Sequence, residues 1–240
     1  HALGYATRLI QMGYADVIVS GGAESVMSPV GMAGFQNMTA LSSSGKSMPF
    51  DRDRDGFMMT EGSATLILEE MGSAKARGAR IYGEILGSGS NADAHHVTAP
   101  SPGGHGAARC MQLAIEDAGL TSNEICYVNA HGTSTPLNDA AEAQALSKVF
   151  GEHGPPVTST KGVTGHALGA AGAIEATSVL ISFQRRQIPP TAGFTNSDPE
   201  IPNINLVTGS PQDWAPGPSM SNSFGFGGHN GCLILAPVTA

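Results

Sequence analysis

Short apolar segments ending in glycine- or threonine-rich turns alternate along this chain with helical segments of ten or more residues. That alternation constrains the fold more than any other feature, because strands separated by helices build βαβ units whose sheets are covered on both faces. From Ala79 the spacing predicts strand 81–87, loop 88–104, helix 107–119, strand 125–130, helix 138–151, strand 157–160 and helix 167–187, then late strands near 205–208 and 232–237. Before it come a helix over 1–12, with Leu3, Ala6, Leu9 and Ile10 at helical spacing, and a buried strand over 15–20 ending in the turn Gly21-Gly22. A long irregular segment rich in Ser, Gly and Met follows over 29–49, then the charged turn 51–56, a strand over 64–69 and a polar, helix-forming link over 73–78. The class is α/β, with 1–78 and 79–240 as two units. The tetrapeptide His1-Ala2-Leu3-Gly4 recurs as His166-Ala167-Leu168-Gly169, each copy opening a helix, which hints at two related halves.

Composition narrows what such a chain does. Twelve Lys and Arg against 20 Asp and Glu give a net charge of −8, and only 5% of residues are aromatic. A nucleic-acid surface needs a basic stripe with stacking platforms, so that class is excluded. The longest apolar runs, such as 232–237, fall far short of the ~20 residues that cross a bilayer, so no membrane partner is expected. Cys110, Cys126 and Cys232 form no Cys-x-x-Cys pair, which leaves no zinc ribbon or disulfide framework and makes a reducing compartment the default. The chain opens on His1 rather than Met, as a fragment of a longer protein would.

Two of the eight histidines stand in turns directly after buried strands, where open α/β sheets place functional groups. His131 follows strand 125–130. His166 opens the Ala/Gly-rich helix, whose N-terminus biases an imidazole toward its neutral form. A satisfied structural histidine fits position 131 as well, and a helix cap fits position 166. Glu142 shares a helix face with Leu146 and Val149, which points it into the core in need of a partner, for which Lys161 is the candidate; a solvated edge position is the alternative. The turn 223–230 has no following helix and no Gly-Lys-Ser/Thr, so its free amides suit an oxyanion better than a phosphate. His95, His96 and His105 lack metal-ligand spacing, and no metal site is expected. No cysteine or serine is placed as a nucleophile: Cys110 falls mid-helix, Cys126 inside a strand and Cys232 at the start of one.

Residues 128–136 (Val-Asn-Ala-His-Gly-Thr-Ser-Thr-Pro), 159–172 (Ser-Thr-Lys-Gly-Val-Thr-Gly-His-Ala-Leu-Gly-Ala-Ala-Gly) and 222–230 (Asn-Ser-Phe-Gly-Phe-Gly-Gly-His-Asn) resemble the β-ketoacyl-acyl-carrier-protein synthases. More narrowly, they are similar to the elongating Cys-His-His condensing enzymes of fatty-acid synthesis, and Pro49-Phe50-Asp51 with Arg54-Asp55-Gly56-Phe57 extends the likeness. The resemblance implies a thiolase-like five-layer αβαβα sandwich of two similar halves. It puts the family's nucleophilic cysteine five residues before His1, as Lys161 stands five before His166. It assigns the catalytic histidines to His131 and His166, the lysine to Lys161 and its carboxylate partner to Glu142, with Asp139 and Glu175 in supporting positions. Thr133 and Thr135 match the threonines that hold the pantetheine arm. Phe226 matches a gating phenylalanine whose N–H joins the oxyanion hole, and Phe224 falls with the substrate-binding residues.

The activity so implied is decarboxylative condensation of an acyl thioester with malonyl-carrier protein. It needs no cofactor; the acyl carrier protein is its partner, a homodimer its assembly, and the cytoplasm or an organelle matrix its place. A polyketide ketosynthase and a catalytically silent chain-length factor are the alternatives, and the retained histidines, Lys161 and Glu142 favour the enzyme. A degradative thiolase would carry a late Cys-x-Gly, which Gly231-Cys232-Leu233 lacks. Three departures from the family pattern stand out: Thr60 where many relatives have glycine, the short 41–49 loop with Lys46 as its sole basic residue, and His229 in the last turn, a variant also found in the family. The first two bear on local geometry and on carrier docking.

Overall fold

The computed structural model describes residues 1–238. In chain order its elements are α1 (Ala2–Gln11), β1 (Val17–Glu24), α2 (Pro29–Asn37), β2 (Gly62–Glu69), α3 (Met71–Ala76), β3 (Glu84–Ala92), α4 (His105–Asp117), β4 (Tyr127–Asn129) and α5 (Pro136–Phe150). They continue through β5 (Val157–Thr158), α6 (Lys161–Thr164), α7 (Ala171–Arg185), β6 (Gln187–Ile188), β7 (Gln212–Asp213), β8 (Ser219–Gly225) and β9 (His229–Ala236).

The centre is a five-stranded sheet in the order β3-β9-β8-β4-β5, in which β8, β4 and β5 run parallel while β3, β9 and β8 alternate in direction. Period-two alternation splits its side chains between two cores. Val128 with Cys232 and Ile234 faces Cys110, Met111 and Ala114 of α4 and Leu146 of α5. Tyr127 and Leu235 face the other way, toward Leu3 of α1 and Ala176, Val179 and Phe183 of α7. Beyond α1 and α7 lies the antiparallel pair β1–β2. The described residues thus stack four layers: α4 with α5, the large sheet, α1 with α7, and the β1–β2 pair. Gly89 lets the outer helix approach, since a Cβ there would stand 2.2 Å from the Cys110 carbonyl oxygen.

Several expectations are corrected, the first being the turn at Gly21-Gly22, which lies inside the partly exposed strand β1. The irregular segment over 29–49 opens on α2, because Ser28 accepts the Gly31 N–H at 3.1 Å and Pro29 fills the first turn. The helix over 167–187 does not begin at His166: that residue pairs with Met59, donating its N–H to the Met58 carbonyl (2.7 Å) and accepting from the Thr60 N–H (3.1 Å). A 3-10 turn then covers Leu168–Ala170 before α7 starts. Around 205–208 there is only a bridge between Leu206 and Val157, while β8, which no apolar alternation announces, takes a central place in the sheet. The glycine-rich turn over 223–230 shrinks to Phe226–Gly228 between two strands, and Cys126 lies just before β4 rather than in it.

Candidate active site

The turn after β4 is fixed through its backbone. The His131 and Gly132 N–H groups donate to the two oxygens of Glu142 (2.8 and 2.7 Å), and those of Thr133 and Ser134 donate to the two oxygens of Asp139 (3.0 and 3.1 Å). Four successive amides are held by two carboxylates one helical turn apart on α5. Both acids are buried, and burial raises both from their ordinary values, Glu142 to about 7, against the pull of the amides they accept from.

Lys161, 1% exposed at the start of α6, reaches back beneath this turn. Its Nζ donates to the His131 carbonyl at 2.6 Å and to Glu175 of α7, and faces His131 Nδ1 at 3.3 Å. The expected pair with Glu142 does not form. Glu142 is taken up by the turn amides and by Asn222 Nδ2 (3.2 Å), while α7 brings Glu175 to the lysine. Glu175 was legible as a core-facing carboxylate, because Val179 and Ser182 at i+4 and i+7 put it on the buried face of α7, but its pairing with Lys161 was not.

The imidazoles of His131 and His166 meet edge to face with centroids 5.3 Å apart. Burial holds His131 far below the usual histidine range, and the nearby Lys161 charge adds to it. His166 is lowered to about 3 by the same two causes, in that order. Both rings are therefore neutral at pH 7. His166 Nδ1 accepts the Leu168 N–H at 3.2 Å, and His131 Nδ1 faces a lysine ammonium, so each ring carries its proton on Nε2. The site thus offers two neutral N–H donors side by side, a pair suited to an oxygen that gains negative charge during reaction.

Aromatic rings frame the pair. Phe57 lies 5.2 Å from His166 and Phe224 5.9 Å from His131, centroid to centroid. Phe226 is 44% exposed and its ring pairs with Phe35 at 6.5 Å, which in turn packs edge-on to Phe57. Thr133 and Thr135 share a hydroxyl–hydroxyl bond of 2.9 Å.

The family pattern described as "Beta-ketoacyl synthase, N-terminal domain" matches residues 1–74, and "Beta-ketoacyl synthase, C-terminal domain" matches 82–195. The chain belongs to the β-ketoacyl synthase family. Among similar proteins, the 3-oxoacyl-[acyl-carrier-protein] synthase 2 of Synechocystis sp. is 46% identical over 98% of this chain and 58% of its own length. The mitochondrial 3-oxoacyl-[acyl-carrier-protein] synthase of Arabidopsis thaliana is 46% identical over 99% of the chain and 54% of its own length. A β-ketoacyl synthase from Burkholderia phymatum superposes with a TM-score of 0.94 at 43% identity, over 99% of this chain and 59% of that one. The complex titled as a type II polyketide acyl-carrier protein with its ketosynthase gives 0.95 at 33% identity, over 99% and 60%. These likenesses carry the thiolase-like ketosynthase fold, and the chain spans 54–58% of the length of the two named relatives.

In this β-ketoacyl synthase chain the structure gathers His131, His166, Lys161, Glu142, Asp139, Glu175, Thr133, Thr135 and Phe224 into one site, with Phe226 at its exposed side. Phe35 and Phe57 belong to it and were not singled out from sequence, since ring contacts across three segments leave no local pattern. Thr60 donates its hydroxyl to the Thr164 carbonyl at 2.9 Å and so ties down the segment before His166.

Proposed function

We propose that the protein containing this chain is an elongating β-ketoacyl-acyl-carrier-protein synthase. The observation that carries the reading is the pair of neutral imidazoles, each with Nδ1 occupied and Nε2–H free. In the proposed reaction an acyl group passes from a carrier thioester to a cysteine thiolate. That cysteine is assigned to the part of the relatives' length outside this chain, because Cys110 and Cys232 are buried in the core and Cys126 lies away from the imidazoles at the far end of β4. Malonyl-carrier protein then loses carbon dioxide: the C–C bond to its carboxylate breaks and the electron pair moves into a thioester enolate. The enolate oxygen takes hydrogen bonds from Nε2 of His131 and His166. Its carbon attacks the acyl thioester, the oxyanion rests on backbone N–H groups including that of Phe226, and collapse expels the cysteine thiolate with a new β-ketoacyl thioester.

Burial keeps both rings neutral, the Lys161 charge adds to it, and Lys161 fixes His131 through its carbonyl. Thr133 and Thr135 are assigned to the pantetheine arm, acyl carrier protein is the proposed partner and a homodimer the proposed assembly. Among the described residues no helix is long and apolar enough to cross a membrane.

The test is acylation and decarboxylation measured separately on the full-length protein. His131→Ala and His166→Ala are expected to retain acyl-enzyme formation, seen by intact mass, and to lose carbon dioxide release from malonyl-carrier protein by about 100-fold or more. A wild-type protein that forms no acyl-enzyme overturns the reading in favour of a silent partner.

A further inference from the structure

Arg54 is a buried cation that the proposed reaction does not use. Its side chain is 5% exposed and binds three separate segments: Nη1 donates to the Asp51 carbonyl (2.8 Å) and to Asp198 (2.6 Å), and Nη2 to the Pro136 carbonyl (3.3 Å) at the start of α5. Its Nε has no hydrogen-bond partner among the described residues and stands 4.0 Å from Asp139 Oδ2. Asp51, wholly buried, accepts the Thr195 and Asn196 N–H groups (2.6 and 2.7 Å) and so places the loop that carries Asp198. Asp139 is equally buried, takes the Phe50 N–H at 2.8 Å besides the two turn amides, and has the acidic Glu142 one turn along the same helix. Two carboxylates this close in the interior repel each other, and an uncompensated buried carboxylate takes up a proton. A protonated Asp139 has one oxygen turned from acceptor to donor, which releases an amide of the turn.

We propose that Arg54 is a positioning residue for His131, holding Asp139 as the charged acceptor that fixes the backbone of the 131–134 turn. The proposal rests on the function above. The groups that face Asp139 are Arg54 on the 48–57 segment, Asp198 behind it, and Glu142 and Asn138 on α5. Removing Arg54 favours protonated Asp139, whereas removing Asp198 leaves the guanidinium charge to Asp139 alone.

The experiment follows kcat for condensation by the full-length protein, and the imidazole 15N signals of His131, between about pH 5 and 9. In Arg54→Gln the acid limb of kcat is expected to move up by about one pH unit or more. The KM for the malonyl thioester is expected to stay within about twofold of wild type. Arg54→Lys recovers most of the loss, and Asp198→Asn moves the limb the opposite way. An even fall in kcat across pH, or an Asp198→Asn shift in the same direction as Arg54→Gln, overturns the proposal in favour of a purely structural staple. Should Arg54→Gln fail to fold, Arg54→Lys and Asp198→Asn decide alone. Absence of condensation in the wild type counts against the proposed function. The His131 signals then carry the test, and signals of Asp198→Asn that follow the wild-type course with pH sink it.

Discussion

An ammonium group buried as deeply as that of Lys161 is tolerable only among acceptors, and the structure supplies Glu175 and the His131 carbonyl. Lys161→Met removes the cation and leaves the enclosed Glu175 carboxyl without its partner, so it is expected to destabilise the protein by about 3–5 kcal/mol. Adding Glu175→Met is expected to restore much of that loss, since an apolar pair replaces an ionic one. Urea midpoints of the single and double variants check this. Glu142 could be placed in the core from Leu146 and Val149 in the sequence. Its partner could not, because which carboxylate meets Lys161 depends on α7 lying against α6, a relation that no spacing within α5 encodes.

At the scale of elements, the tether between the 131–134 turn and α5 needs a backbone that comes very near its neighbours. Gly132 has φ +33°, and a Cβ on it would stand 2.6 Å from Ser159 Cβ, itself fixed by donating its hydroxyl to the Gly132 carbonyl at 2.7 Å. Gly132→Ala is expected to cost about 2 kcal/mol or more in stability and to lower condensation with it, measured as a fall in Tm and in kcat. Elements with apolar periodicity, such as α1, α4, β2 and β9, were readable within a few residues of their ends. The ones missed share a cause. In β8 the run Ser219-Met220-Ser221-Asn222-Ser223 is polar yet almost wholly buried, its ladder partners on both sides substituting for hydrophobic character. α2 buries no residue fully, so only Ser28 and Pro29 could have announced it.

For the whole molecule, several buried or bonded titratable groups set the response to acid and base. His166 is at about 3 when folded against an ordinary 6.5, so the unfolded chain binds the extra proton between these values and stability is lost as pH falls through that window. Asp55, lowered to about 2 by three serines that donate to it, adds a loss as pH falls through its own range. Glu142, raised to about 7, acts oppositely: its contribution is whole below 4.5 and is lost as pH rises through 7. His166→Gln is therefore expected to flatten the fall in Tm between pH 6.5 and 3. The same decline in wild type and variant sinks that assignment. The β1–β2 pair has a different consequence. Among the described residues each strand pairs with no strand but the other, and Val17, Val19 and Ile67 stand outward on its bare face. Such a ladder is a template for further strands. For this 240-residue chain handled alone, that open strand edge is where copies are expected to zip together in storage, before the five-stranded core is disturbed.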